Sequence, residues 1–147
     1  MGITLVAYSS LSPKKLNAVW KKYKDGFVLE YCGKEYIFYN DISNVYARQN
    51  WTILHELGHI VLDHTGCNHE REEAEANFFA KYAIAPPVLI HRIGAKTALD
   101  IYEQFDISLE AANYAFIYYK RWEKKHRQGF ELTDYEVKLL ELFKFSA

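Results

Sequence analysis

Apolar and polar positions change their period along this chain. The first forty residues carry short apolar runs of strand type, and from about residue 50 onward the apolar positions recur at helical spacing. "ITLVAYS" (3–9) is apolar and β-branched and predicts a strand. "FVLEYCGKEYIFYN" (27–40) is two aromatic and aliphatic runs around Gly33-Lys34, which predicts a hairpin. Between them "LSPKKLNAVWKKYKDG" predicts an amphipathic helix, with Ser12 as N-cap, Pro13 at the first helical position and Gly26 as terminator. Leu16, Val19, Trp20 and Tyr23 share its apolar face.

Four helical segments follow. "NWTILHELGHIVLDH" (50–64) should end near Gly66, a residue suited to the left-handed position after a helix. "EREEAEANFFAKYAI" (70–84) favours helix and should stop before Pro86-Pro87. "AKTALDIYEQFDISLEAANYAFIYYKRWEKKHRQG" predicts a helix, a turn at "FDIS" with Ser108 as cap, and a longer helix. "TDYEVKLLELF" opens with a capping box, Thr133 and Glu136. Strands first and helices later is the order of an α+β fold.

Composition narrows the function classes. The chain has 147 residues, half of them hydrophobic and a quarter charged, with 12 Tyr, 9 Phe and 3 Trp, so one well-packed domain is expected and disorder is not. A formal net charge of −1 gives no global reason to expect nucleic acid or an anionic membrane as partner. Cys32 and Cys67 are too few for a disulfide framework, which suits a reduced compartment. "MGITLVAYSSLSPKK" lacks the basic n-region of a signal peptide, and no segment approaches the ~18–20 apolar residues of a membrane span. A soluble, cytoplasmic protein is the expectation.

The chemistry concentrates in "HELGH". On an α-helix His55 and His59 project about 40° apart on neighbouring turns, so both imidazoles can converge on one ion. Glu56 lies beside that line, placed to reach a water without itself coordinating. Two nitrogens, one further ligand and an open position make a catalytic zinc site. The alternative is a helix carrying two partly exposed histidines and a solvated glutamate. His64 stands one residue short of where a third histidine ligand would fall, so that pattern is rejected. "EREEAEAN" offers Glu70, Glu72, Glu73 and Glu75 instead. Glu73 and Asn77 are four apart on one face, so Glu73 could bind zinc while Asn77 bonds the far side of a ligand imidazole. Glu72 and Glu75 face elsewhere and are expected to be solvated charges. Four glutamates in six residues leave the choice open on spacing alone.

"RQNWTILHELGHIVLDH" followed by "EEAEANFFAKYAIAPP" resembles the ImmA/IrrE family of bacterial and phage zinc metallopeptidases. Arg48, Thr52, His55, Glu56, Gly58 and His59 match the first half of the family pattern, with Trp51 where Phe is usual. Glu73, Ala76, Asn77, Phe79, Ala80 and Pro86 match the second. "FDISLEAANY" resembles a later family segment, and the likeness covers roughly residues 27 to 120. It implies a minimal zincin fold, a small sheet packed on a metal helix and a Glu-bearing helix. It also implies Zn2+ on His55, His59 and Glu73, and proteolysis of helix-turn-helix repressors of phages or mobile elements. The expected layout is a single 1–147 domain, with 1–50 mainly sheet plus one helix, 51–87 the metal-site helices and 88–147 a helical remainder.

In such a site Glu56 would be the general base, passing the water's proton to the leaving amine. Tyr82, His69 and His91 are oxyanion candidates by residue type only. The strand "KEYIFYN" either pairs with an extended substrate or is internal to the sheet. The loop "HTGCNH" (64–69) reads as connecting residues and not as a second metal site, and Cys32 as a small buried hydrophobe. Two other function classes compete: a non-catalytic binding module on the same fold, and a DNA-binding regulator using the helix-turn-helix-like "ALDIYEQFDISLEAANYAFIYYKRW" with the basic "YYKRWEKKHR". A general base at position 56 argues against the first, and the lack of overall positive charge against the second.

Overall fold

The computed structural model describes residues 2–129 and 131–143; the extreme ends of the expected 1–147 domain lie outside them. It is an α+β chain: β1 (Ile3–Ala7), a 3-10 turn at Tyr8–Ser10, α1 (Pro13–Lys22), β2 (Gly26–Tyr31), β3 (Lys34–Tyr39), α2 (Tyr46–Val61), α3 (His69–Ile84), α4 (Pro87–Arg92), α5 (Ala98–Phe105), α6 (Leu109–Arg127) and α7 (Asp134–Leu142). Packing divides it into two compact units at Ala80/Lys81, a boundary inside α3.

In the first unit the sheet order is β1-β3-β2, with β1 parallel and β2 antiparallel to β3. The strand "KEYIFY" is therefore the middle one. Both its edges are taken, so it is internal and cannot receive a further strand. Cys32 and Gly33 form the hairpin turn, with φ of 52° and 70°. Positive φ at both central residues is what a tight antiparallel connection requires, and it sets the turn one residue before the expected Gly33-Lys34 centre. It also leaves Cys32 exposed rather than buried. Phe27 and Phe38, paired across β2 and β3, stack at 4.6 Å, and Tyr23 stacks on Phe27 at 4.3 Å. Tyr8 and Ile37 are the large side chains buried beneath.

Gly26 does not terminate α1, which ends four residues earlier; it opens β2. A Cβ there would lie 2.5 Å from the methyl of buried Thr52 and 2.6 Å from the Phe38 carbonyl. The missing side chain is what lets α2 lie close against the start of β2. Asn40 then holds the chain where it leaves β3. Its Nδ2 donates to the Lys24 carbonyl and the Ser43 hydroxyl, and its Oδ1 accepts from the Ile42 and Ser43 N–H groups. All its polar capacity is used, as burial at 2 % exposure demands. Arg48 in the first turn of α2 bonds Asp25, the residue before β2, at 2.7 Å, a second tie between that helix and the entry to the strand.

The second unit is helical. Ala85, Ile90, Ala95, Ile101, Ile107, Ala112, Ala115 and Tyr119 form its buried core. Pro87, expected only to stop a helix, starts α4 at a position where its missing N–H costs nothing. The capping box of α7 and the Ser108 cap of α6 form as expected. Among the described residues no helix is long and apolar enough to cross a membrane.

Candidate metal centre

α2 and α3 build the site by close approach. A Cβ on Gly58 would meet Ala76 Cα at 3.1 Å, Phe79 Cδ1 at 3.2 Å and the Ala76 carbonyl at 3.3 Å. Glycine on one helix and alanine on the other therefore set the spacing between them. One turn before Ala76 on α3 stands Glu73. One residue after Gly58 and three before it on α2 stand His59 and His55.

The histidine rings lie 4.8 Å apart, nearly perpendicular, with their Nε2 atoms 3.2 Å from one another. Glu73 places Oε2 at 3.5 Å from His55 Nε2 and Oε1 at 3.3 Å from His59 Nε2. One ligand atom from each residue lies within 4.8 Å of the others, close enough for one metal ion.

The opposite ring nitrogens say what the converging ones are. His55 Nδ1 is 3.1 Å from Asn77 Oδ1. An amide oxygen only accepts, so this contact calls for a proton on His55 Nδ1, the tautomer that in a neutral ring leaves Nε2 bare. His59 turns its own Nδ1 away, towards His64 Nδ1 at 2.9 Å. Burial, and then the neighbouring His55, holds His59 below the ordinary imidazole range against the pull of Glu73. Neutral imidazole is the ligating form. With both rings neutral and protonated on Nδ1, two lone-pair nitrogens and a carboxylate face one another, a donor set that fits a divalent metal of zinc type.

Glu56 is partly buried beside this cluster. Its carboxyl is pushed up to about 7 by burial first and the Glu73 charge second, while the Val28 backbone N–H draws it down. A cation on the three ligands would add to the lowering side. Without a cation the carboxyl is thus held near neutrality, and a cation would shift it toward the ionised form that accepts a proton. A cleft of about 490 Å³ opens over the site, lined among others by Lys22, Arg48, Trp51, His55, Glu56 and Glu73.

Of the four glutamates, only Glu73 joins the histidines. Glu72, expected to be solvated, accepts the N–H groups of Thr65 and Gly66 and ties down the α2–α3 loop. Glu75, also expected to be solvated, bonds His64 Nε2 at 3.2 Å and Arg71 Nε at 2.8 Å. His64 itself is not a loose loop residue: its side chain is only 6 % exposed. The signal that could have found it is a change of helix end. α2 closes at Asp63, whose φ is 54°, and not at Gly66. The His64 N–H then bonds the His59 carbonyl at 3.0 Å, which folds residue 64 back over residue 59. Among the oxyanion candidates, His69 is exposed and 3.8 Å from Glu73. Tyr82 and His91 belong to the second unit, where His91 Nδ1 is 3.2 Å from the Tyr119 hydroxyl.

A family model described as the IrrE N-terminal-like domain, Peptidase_M78, matches residues 15–117. No curated protein matches the chain.

Proposed function

Because the chain belongs to the Peptidase_M78 family of IrrE N-terminal-like, metallopeptidase-type domains, we propose that it is a zinc-dependent endopeptidase that cleaves a regulatory protein, a helix-turn-helix repressor of a phage or mobile element. The observation that carries the peptidase reading is the convergence of His55, His59 and Glu73 beside the half-buried Glu56 carboxyl in an open cleft. The repressor as substrate rests on the family resemblance.

In this reading His55 Nε2, His59 Nε2 and a Glu73 oxygen hold the zinc. Bound there, zinc would supply Lewis acidity for the scissile carbonyl and the attacking water. Glu56 accepts that water's proton and returns it to the leaving nitrogen. The Val28 N–H holds the Glu56 carboxylate, and Asn77 holds the His55 ring. Among the described residues β2 is an edge strand of the sheet, and its Val28 N–H reaches Glu56, so an extended substrate would lie along it. The site is assigned to the cytoplasm, where such repressors act.

Co-expression with any helix-turn-helix repressor encoded beside it tests the proposal. The wild type should cleave the repressor, and Glu56→Gln should retain zinc and lose at least about 100-fold in cleavage rate. Cleavage at equal rates by both forms, or binding without cleavage by the wild type, would remove Glu56 from the mechanism or the mechanism from the protein.

A further inference from the structure

The structure assigns His64 and Glu75 as positioning residues for the metal ligand His59, joined in a single directed hydrogen-bond chain. The inference rests on the metal-site reading above and extends it to residues outside the ligand set.

Each link forces the next. His59 Nε2 faces His55 Nε2 at 3.2 Å and Glu73 at 3.3 Å, so a ligating His59 is bare at Nε2 and protonated at Nδ1. That Nδ1–H has His64 Nδ1 as its partner at 2.9 Å. A second N–H cannot face it, so His64 is bare at Nδ1 and protonated at Nε2. His64 Nε2–H then donates to Glu75 Oε2 at 3.2 Å. The other Glu75 oxygen accepts from Arg71 Nε at 2.8 Å, which keeps the carboxylate oriented. The reverse chain would need a proton on His59 Nε2, pointing it at the metal position.

His64 is held for this by backbone as well as side chain. The left-handed residue Asp63 turns the chain, and the bond from the His64 N–H to the His59 carbonyl fixes the two residues together. The two ligand histidines are thus supported unequally. His55 leans on a neutral amide, whereas His59 leans through a second imidazole on a carboxylate. A charged acceptor at the far end raises the basicity of the ring and fixes its tautomer. Losing such a partner typically weakens metal binding by about 10- to 100-fold.

The test is zinc affinity of the full chain, by competition with a chromophoric chelator, alongside ring-nitrogen NMR of the zinc-bound wild type. His64→Leu should bind zinc roughly 10- to 100-fold more weakly. His64→Gln, whose amide can accept from His59 and donate to Glu75, should recover most of that loss. Glu75→Gln should weaken binding roughly threefold or more, while Glu70→Gln, the same charge change in the first turn of the same helix, should bind as the wild type. NMR should find His64 protonated at Nε2 and bare at Nδ1, a readout that does not depend on any variant folding. Wild-type affinity in His64→Leu, equal losses in Glu75→Gln and Glu70→Gln, or a proton on His64 Nδ1 would each overturn the chain. A wild type that takes up no zinc would overturn the metal site together with it. Zinc uptake abolished by His59→Ala but untouched by the His64 and Glu75 variants would overturn the chain alone.

Discussion

At the scale of single residues, four neighbouring glutamates on one helix have four different surroundings. Glu73 alone meets the Nε2 atoms of His55 and His59, Glu72 holds two loop N–H groups, Glu75 meets His64 Nε2, and Glu70 lies in the exposed first turn. Glu73→Gln would exchange the proposed charged ligand for a poor neutral one. Metal analysis after dialysis should find its zinc affinity down by more than about 100-fold, or about 2.7 kcal/mol. Glu72→Gln should keep its zinc. Equal zinc content in the two would show that the carboxylate at 73 is not a ligand. The His55, Glu56, His59 grouping was legible in the sequence because helical period alone brings such residues to one side. Asn77 was legible because four residues return a helix to the same face. His64 was not, because its place depends on whether α2 closes at Asp63 or runs on to Gly66, and glycine was the better expectation for the helix end. Aspartate tolerates that conformation well enough to take it.

At the scale of elements, the site depends on how closely two helices approach. Gly58→Ala separates stability from function. Alanine favours helix over glycine by about 1 kcal/mol, but its Cβ would press on the backbone of α3 at 3.1 and 3.3 Å, and backbone yields only if the helix moves. Overpacking of this kind costs about 1–3 kcal/mol. The melting temperature should therefore fall only modestly, whereas zinc affinity should fall at least roughly tenfold because Glu73 rides on the displaced helix. Chelator competition and thermal denaturation on the same preparation check both halves. Unchanged zinc affinity would show that α2 and α3 can separate without disturbing the ligands. The elements themselves were mostly readable from period and caps. The strand pairing was not, since apolar alternation marks a strand without saying which neighbour it takes. α4 was hidden because Pro86-Pro87 reads equally as an end and as a beginning, and only burial of Val88, Leu89 and Ile90 decides for a new helix.

At the scale of the whole molecule, all three proposed ligands lie in the first unit, while the second has its own apolar core running from Ala85 to Tyr119. A metal that binds only the folded site stabilises whatever must be folded for the site to exist. At free zinc 100 times the dissociation constant, that is about 2.7 kcal/mol. The size of the resulting shift in melting temperature reports which part of the chain is coupled to the site. A cooperative unit of all 147 residues should shift by roughly 5–10 °C, and the first unit melting alone by roughly 10–20 °C. Calorimetry with and without zinc measures the shift, and hydrogen exchange locates it. Added protection should appear in α2 and the first half of α3 in either case, and should extend to α5 and α6 only if the chain melts as one. No shift at saturating zinc would mean that the folded and unfolded chains bind it alike, which a preformed three-ligand site excludes. Protection confined to α2 and the first half of α3 would mean instead that the helical remainder owes nothing to the metal.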